Sequence, residues 1–210
     1  MAFKDNFRGD SAYSQIMTKV FDVFWLSVLS ILCCIPVITI GASLSALYYV
    51  MLKLVRDEET AVTRNYFKAF KENFLQSLPV TVILLVIIGI LTADFHILGQ
   101  SGGKNSSIIY GCCVVILLAA AAVFSYVFPL MARYQNTIKK TFENAARLAA
   151  SHLGQTTVMV LVNLFPLGWF LISAETFAAI FWIWVFVGLG IQAFINSLII
   201  RKIFDKLEAE

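Results

Sequence analysis

The chain has 210 residues, of which 60% are hydrophobic and only 14% are charged, and its formal net charge is +3. Water-soluble domains usually carry about 25% charged residues, so the polar surface here is too small to cover a soluble globule. The basic residues lie in short segments between apolar runs rather than along one groove or helix, which argues against a nucleic-acid-binding protein.

Five runs without Asp, Glu, Lys or Arg follow one another along the chain. Each is at least 21 residues long, and a helix needs about 20 apolar residues to cross the hydrocarbon core of a membrane. The pattern predicts an all-α fold, a polytopic transmembrane helical bundle that forms a single integral membrane domain over residues 1–210. The runs are Val23 to Leu52, Asn73 to Ala93, Asn105 to Ala132, Leu148 to Ala174 and Thr176 to Ile200.

The first run has 30 residues, which is too long for one upright span and a little short for two. Pro36 and Gly41 interrupt it. The residues around the run extend to about 54 Å of helix, against roughly 60 Å for two complete crossings. We therefore predict a broken hairpin of two short or tilted membrane segments, at about 20–36 and 41–55, with Pro36 to Gly41 as a turn within or near the membrane.

The distribution of basic residues favours this hairpin. Cytoplasmic loops of membrane proteins carry an excess of Lys and Arg. If the first run returns to its starting side, fifteen of the sixteen basic residues lie inside and only Lys104 lies outside. If it crosses once, the split is twelve to four. Six segments with both termini cytoplasmic are preferred, and five segments with the N-terminus outside remain the alternative.

The other membrane segments are predicted at about 78–98, 108–132, 156–173 and 177–200. Two cytoplasmic amphipathic helices are predicted between them, at about 61–76 and 135–153, because aromatic and apolar residues recur there at spacings of three and four. The aromatic positions are Tyr66, Phe67, Phe70, Phe74 and Phe142. These residues either dip into the headgroups of the lipid bilayer or anchor a cytoplasmic partner.

Few polar residues lie at membrane depth. Asn163, Gln192 and Asn196 are uncharged groups in the last two spans, where such side chains usually bond to a neighbouring helix. They are also candidates for a polar path through the bundle. Asp94 and His96 lie near the outer end of the third segment, two positions apart, and so do not share a helix face. The chain offers no hydrolase, metalloprotease or ATPase motif, so we predict a non-enzyme without catalytic residues, metal or cofactor.

Three segments in the first half of the chain resemble the YesL family of small bacterial integral membrane proteins. They are CIPVITIGASLSALYY at 34–49, KLVR at 53–56 and YFKAFKENF at 66–74. Members of that family are typically encoded beside sugar-uptake transporters and two-component regulators, and their biochemical activity is not established. The resemblance implies a supporting role in carbohydrate uptake or sensing, in a bacterial cytoplasmic membrane.

Two functional hypotheses follow. The first is a non-enzymatic membrane protein that assists or regulates carbohydrate uptake or sensing, with a sugar transporter or a two-component sensor as partner. The second is a small-solute transporter or channel, for a sugar or an osmolyte, lined by the broken first run and the polar residues of the last two spans. The ligand and the oligomeric state cannot be read from these residues.

Overall fold

The computed structural model describes residues 6–58, 61–100 and 106–209. Within these ranges the regular secondary structure is entirely helical. A single 3₁₀ turn, Val37–Thr39, follows the first helix, and a π-helical segment, Trp184–Gly188, connects the last two. The α-helices are α1 (Asn6–Cys34), α2 (Ile40–Val55), α3 (Val62–Gln100), α4 (Ser106–Arg133), α5 (Ile138–Ser151), α6 (Leu153–Ile172), α7 (Ala174–Ile183) and α8 (Leu189–Ala209).

Six helical segments in the described residues are long and apolar enough to cross a membrane. Large apolar side chains cover the outside of most of them, as expected for a surface that faces lipid tails. The prediction of a polytopic transmembrane bundle with six membrane segments is therefore confirmed. The segments are Ile16–Cys34, Val37–Val55, Val62–Ile97, Ile109–Arg133, Leu153–Ile172 and Ala174–Lys206.

The first uncharged run does break into two helices. The break covers residues 35–39, between the end of α1 and the start of α2. The Thr39 hydroxyl donates to the carbonyl of Pro36 at 2.6 Å and also to the carbonyl of Cys33. The bond to Cys33 gives a partner to a carbonyl at the C-terminal end of α1, where a broken helix leaves carbonyls without intrahelical partners.

Gly41 has a different role from the predicted one. It lies in the first turn of α2 rather than in the break, and its N–H donates to the Thr81 hydroxyl of α3 at 3.1 Å. A Cβ on Gly41 would lie 2.3 Å from that hydroxyl oxygen and 3.0 Å from the Ser77 carbonyl oxygen. The turn therefore contains Pro36, whereas Gly41 lets the backbones of α2 and α3 approach closely.

Helix α2 is the centre of the bundle. Twelve of its sixteen residues are buried, and it packs against α1, α3, α4 and α8. At 1.5 Å per residue it is about 24 Å long, shorter than the hydrocarbon core. Because protein rather than lipid surrounds most of α2, this short helix does not have to match the bilayer thickness on its own.

The predicted separation between the first cytoplasmic helix and the next span is wrong. Residues 62–100 form one continuous helix, α3, which includes Pro79. The change near residue 76 from an amphipathic to an apolar pattern alters what the helix surface contacts. It does not require the backbone to stop, and Pro79 removes only one N–H donor from the helix.

The other predicted elements lie close to their observed bounds. The second amphipathic helix corresponds to α5, and the fifth segment to α6. The last segment is longer than predicted and is interrupted by the π-helical segment. After it, Gly190 packs against α1, where an added Cβ would lie 2.7 Å from the Val23 carbonyl oxygen.

Charged groups from distant parts of the chain meet at one end of the bundle. Lys19 of α1 forms an ion pair with Asp57, just after α2. Arg56 pairs with Asp205 of α8 at 2.8 Å, and Arg201 donates to the Val55 carbonyl at 2.7 Å. These contacts place the start of the first span, the loop after α2 and the C-terminal end of α8 on the same side of the bundle. The hairpin prediction requires this arrangement. We call this side the basic end.

Candidate functional site

A chain of polar side chains crosses the middle of the bundle. The Asn196 amide of α8 donates to the Tyr48 hydroxyl of α2 at 3.1 Å and to Asn163 Oδ1 of α6 at 2.7 Å. The Asn163 amide donates in turn to the Ser125 hydroxyl of α4 at 2.8 Å. Four helices are thus joined by three successive hydrogen bonds. Asn196 has no exposed surface, and Tyr48 and Ser125 are buried.

Gln192 lies one turn before Asn196 and donates to the Val162 carbonyl of α6 at 2.6 Å. The sequence-based expectation that Asn163, Gln192 and Asn196 bond to neighbouring helices is therefore confirmed. Sequence reasoning did not identify Tyr48 and Ser125. Tyr48 stands within the Ala-Leu-Tyr-Tyr motif, but nothing in the sequence shows which of its two tyrosines faces the bundle interior.

Several buried polar atoms near the centre have no hydrogen-bond partner in the described residues. Asn196 Oδ1 is one, and the others include the hydroxyls of four serines in α1, α2 and α8, at Ser27, Ser30, Ser45 and Ser197. An unsatisfied buried polar group costs about 1–3 kcal/mol. In the polar chain, Asn196 Oδ1 can therefore still accept a hydrogen bond. A solute that passes through the bundle could provide the donor.

Tyr66 is not a surface anchor, contrary to the prediction. Its side chain is fully buried, and its hydroxyl lies 2.8 Å from the Ser43 hydroxyl of α2. Ser43 also donates to the Ser30 carbonyl of α1 at 2.9 Å. The ring belongs to the face of α3 that packs on α2, so it is unavailable to a partner or to lipid.

The other three predicted aromatic anchors on α3 differ in accessibility. Phe67 is 43% exposed, whereas Phe70 and Phe74 are half-buried. Phe70 packs against Tyr66 and Phe74, with distances between ring centroids of 6.4 Å and 5.9 Å, respectively. Phe67 is thus the most exposed of these three side chains.

Helix α5 lies against the bundle through its apolar face. The Phe142 ring is half-buried and makes an edge-to-face contact with Phe124 of α4 at 5.7 Å. Thr141, Ala145 and Ala149 are buried on the same side. Because α4 already covers this face, Phe142 has little free surface for a partner, and the exposed side of α5 is mainly polar and basic.

Three cavities open at the basic end, around the linker between α4 and α5. One, of about 530 Å³, lies between that linker, α2 and α3, and a smaller one of about 140 Å³ adjoins it. Arg133 lines both, and Lys53 and Arg56 line the smaller one. The third, of about 620 Å³, lies between the linker, α5 and α8.

Ion pairs hold the basic end together. The Lys19 ammonium donates a hydrogen bond to the Asp57 carboxylate, and this bond, with the attraction between the two charges, holds the pKa of Asp57 below its ordinary value of 3.8. Gln76 of α3 donates to the Asn136 carbonyl. This bond fixes the linker between α4 and α5 against α3. The segments that carry most of the basic residues therefore meet at this end of the bundle. They are the first part of α1, the loop between α2 and α3, the linker between α4 and α5, and the end of α8.

Asp94 and His96 lie in the last part of α3, in the half of the helix away from the basic end. Across the ranges that the structure describes, no group of three or more His, Cys, Asp or Glu residues could hold a metal ion. The polar features described above are the central hydrogen-bonded chain and the basic end.

Comparison with known proteins gives one match. The profile of a family described as "Protein of unknown function, DUF624" matches residues 20–95. The matched range covers α2 and most of α1 and α3, including the break at residues 35–39. No curated protein and no solved structure matches the chain. The chain is a helical membrane protein that contains a region similar to a domain of unknown function.

Proposed function

We propose that this chain is a non-enzymatic protein of a bacterial cytoplasmic membrane, with both termini cytoplasmic, which assists or regulates carbohydrate uptake or sensing. Its partner is a sugar transporter or a two-component sensor. The observation that supports an accessory role is the contrast between the two polar regions. The amides in the middle of the bundle donate to groups on neighbouring helices, whereas the basic end presents open cavities and the exposed Phe67 side chain.

The cytoplasmic assignment of the basic end follows from the positive-inside rule. The carbohydrate assignment rests on the resemblance of residues 34–49, 53–56 and 66–74 to the YesL family. The DUF624 match spans those same segments and carries no information about a substrate. The proposed contact surface is the exposed side of the first part of α3 together with α5, and the exposure of Phe67 and of the polar side of α5 supports it.

Photo-crosslinking in native membranes tests this proposal. A photoreactive amino acid is placed at Phe67, and in a separate variant at Ala146, an exposed position on α5. The matched control is Val86, which is 53% exposed on the apolar part of the same helix as Phe67. We expect transporter or sensor subunits to be captured from Phe67 or Ala146 and lipid to be captured from Val86.

The proposal fails if Phe67 and Ala146 capture lipid alone. It also fails if all three positions capture the same proteins, because the capture would then reflect abundance in the membrane rather than a specific surface.

A second candidate function, passage of a small solute, is favoured by one observation. Asn196 is fully buried among membrane helices, yet its Oδ1 has no partner in the described residues. Polar groups at membrane depth commonly mark substrate pathways. Purified protein in liposomes should then pass a sugar or osmolyte, and the double substitution Asn163→Leu and Asn196→Leu should abolish the flux. Equal flux before and after substitution would reject this path.

A further inference from the structure

The third of the cavities described at the basic end has features of a binding site. It has a volume of about 620 Å³ and lies between α5, α8 and the linker that follows α4. Ligand cavities in proteins commonly have volumes of about 300–1,000 Å³. The cavity is therefore large enough for a small organic molecule rather than a single ion.

Two cations from different helices line the cavity. Arg147 comes from α5 and Lys206 from α8, and both side chains are exposed. Among the lining residues that the structure describes there is no Asp or Glu. Asp205, which precedes Lys206 in the sequence, is already paired with Arg56 at 2.8 Å and with Arg201 at 3.4 Å. The cavity consequently has a positive charge that its own walls do not neutralise.

The remaining polar lining consists of groups that can donate hydrogen bonds to an anion. Asn136, Asn144 and Ser151 provide amide and hydroxyl donors. His152 also lines the cavity, and its Nδ1 is buried without a hydrogen-bond partner in the described residues. An imidazole nitrogen in this state is an incomplete interaction that a ligand atom can complete.

One wall of the cavity is aromatic. The rings of Tyr134 and Phe204 meet edge to face at 5.5 Å, and the Arg133 guanidinium lies 5.3 Å from the centre of the Phe204 ring. The lining thus combines cations and hydrogen-bond donors with aromatic and aliphatic side chains.

We propose that this cavity binds the phosphate group of a small amphipathic or hydroxylated molecule. Arg147 and Lys206 contact the phosphate oxygens, because a guanidinium and an ammonium are the usual cationic partners of phosphate. The rest of the molecule lies against Tyr134 and Leu148, the half-buried apolar side chains of the lining. The phosphate belongs either to the headgroup of an anionic lipid or to a soluble sugar phosphate, and the two sources share the chemistry that this cavity recognises.

The test uses the full chain, purified in a neutral maltoside detergent, with two probes. Native mass spectrometry measures binding of phosphatidylglycerol against phosphatidylcholine, whose headgroup has no net charge. Isothermal titration calorimetry measures binding of glucose 6-phosphate against glucose. Each measurement is repeated on a site variant, Arg147→Gln with Lys206→Gln. The matched control is Lys140→Gln with Lys202→Gln, which removes the same charge from exposed positions of the same two helices.

We expect one anionic probe, phosphatidylglycerol or glucose 6-phosphate, to bind better than its counterpart without net charge. The site variant should weaken that binding at least about tenfold, because it removes both charged donors to the phosphate oxygens. The control should change it less than about twofold. An effect on phosphatidylglycerol assigns the site to a lipid, and an effect on glucose 6-phosphate assigns it to a soluble phosphate.

A further variant distinguishes the cavity from general surface charge. Ser151→Phe adds bulk to the lining without altering charge, and Ser151 is itself exposed, so the fold should tolerate the change. This variant should also weaken binding. The proposal is overturned if neither phosphate probe binds, or if the site variant and the control lose affinity equally.

Discussion

The side-chain amide of Asn196 donates a hydrogen bond to Oδ1 of Asn163 at 2.7 Å and so joins α8 to α6 inside the bundle. The same amide reaches the Tyr48 hydroxyl of α2. The last two membrane segments are thus attached to the buried central helix by one side chain. The contact therefore makes a specific prediction about stability.

Asn196→Leu should lower the free energy of unfolding by about 1–2 kcal/mol. The change breaks two hydrogen bonds and leaves the Tyr48 hydroxyl and the Asn163 carbonyl oxygen with one partner fewer. Gln192→Leu removes a single bond, to the Val162 carbonyl, and should cost less. SDS titration of the purified protein in micelles measures both values. A loss from Gln192→Leu that equals or exceeds that from Asn196→Leu would contradict the importance of the central chain.

Gly41→Ala should destabilise the protein by about 1–3 kcal/mol, because the added methyl group overlaps the Thr81 hydroxyl. Gly89→Ala is the matched control in α3. Nothing lies within 4 Å of a Cβ at Gly89, and alanine forms helix better than glycine. Thermal unfolding should therefore be unchanged or slightly raised for Gly89→Ala. Combining Gly41→Ala with Thr81→Ala should recover part of the loss, and no recovery would mean that the hydroxyl is not the obstacle.

Phe142→Ala and Phe67→Ala should separate packing from surface contact. Phe142 fixes α5 to α4 through Phe124, so its loss should cost about 1–3 kcal/mol, less than for a fully buried ring. Amide hydrogen exchange should also accelerate across α5. Phe67 is partly exposed, and its removal should change stability by less than about 1 kcal/mol. If Phe67→Ala destabilises the protein as much as Phe142→Ala does, the ring is structural rather than available for contact.

The broken hairpin was predictable because the positions of charges belong to the sequence itself. The excess of Lys and Arg fixes which segments share a side of the membrane, and Pro36 marks where the first run bends. The role of Gly41 was not predictable in the same way. It depends on how close the α3 backbone comes to α2, which no pattern near residue 41 records.

The amphipathic pattern of about residues 61–76 correctly predicts a helix and incorrectly predicts that it is a separate cytoplasmic element. Spacing showed that Tyr66, Phe70 and Phe74 share a face. It could not show that this face contacts α2, because interfacial lipid and a buried helix select the same aromatic residues. The Ser43 hydroxyl that bonds to Tyr66 is the group that distinguishes the two environments.

The polar residues of the last two spans were identified because amides are rare in apolar segments. Their partners were harder to find. Serine and tyrosine occur on lipid-facing and buried surfaces of membrane helices alike, so Tyr48 and Ser125 carried no distinctive signal. The cavity between α5 and α8 could not be predicted either, since Arg147 and Lys206, which line it, are far apart in sequence.

The Lys19–Asp57 ion pair predicts a pH dependence. Folding lowers the pKa of Asp57, so the pair stabilises the protein above pH 3.8 and loses its effect as the pH falls through the folded-state pKa. The difference in melting temperature between the wild type and Asp57→Asn should be the same at about pH 7 and pH 5, and should shrink progressively as the pH falls below 3.8. Asparagine also tolerates the positive φ of 58° at this residue. A difference that persists undiminished at low pH would show that the carboxylate charge is not responsible.

The topology of the first hairpin can be measured directly by cysteine accessibility in intact cells. In a variant whose four native cysteines are replaced, single cysteines are placed at Lys19, Asp57 and Lys206 and treated with a membrane-impermeant maleimide. Six segments with a cytoplasmic basic end predict that all three are protected in intact cells and react once the membrane is opened. Labelling of the cysteine at position 19 in intact cells, while those at positions 57 and 206 remain protected, would contradict the hairpin.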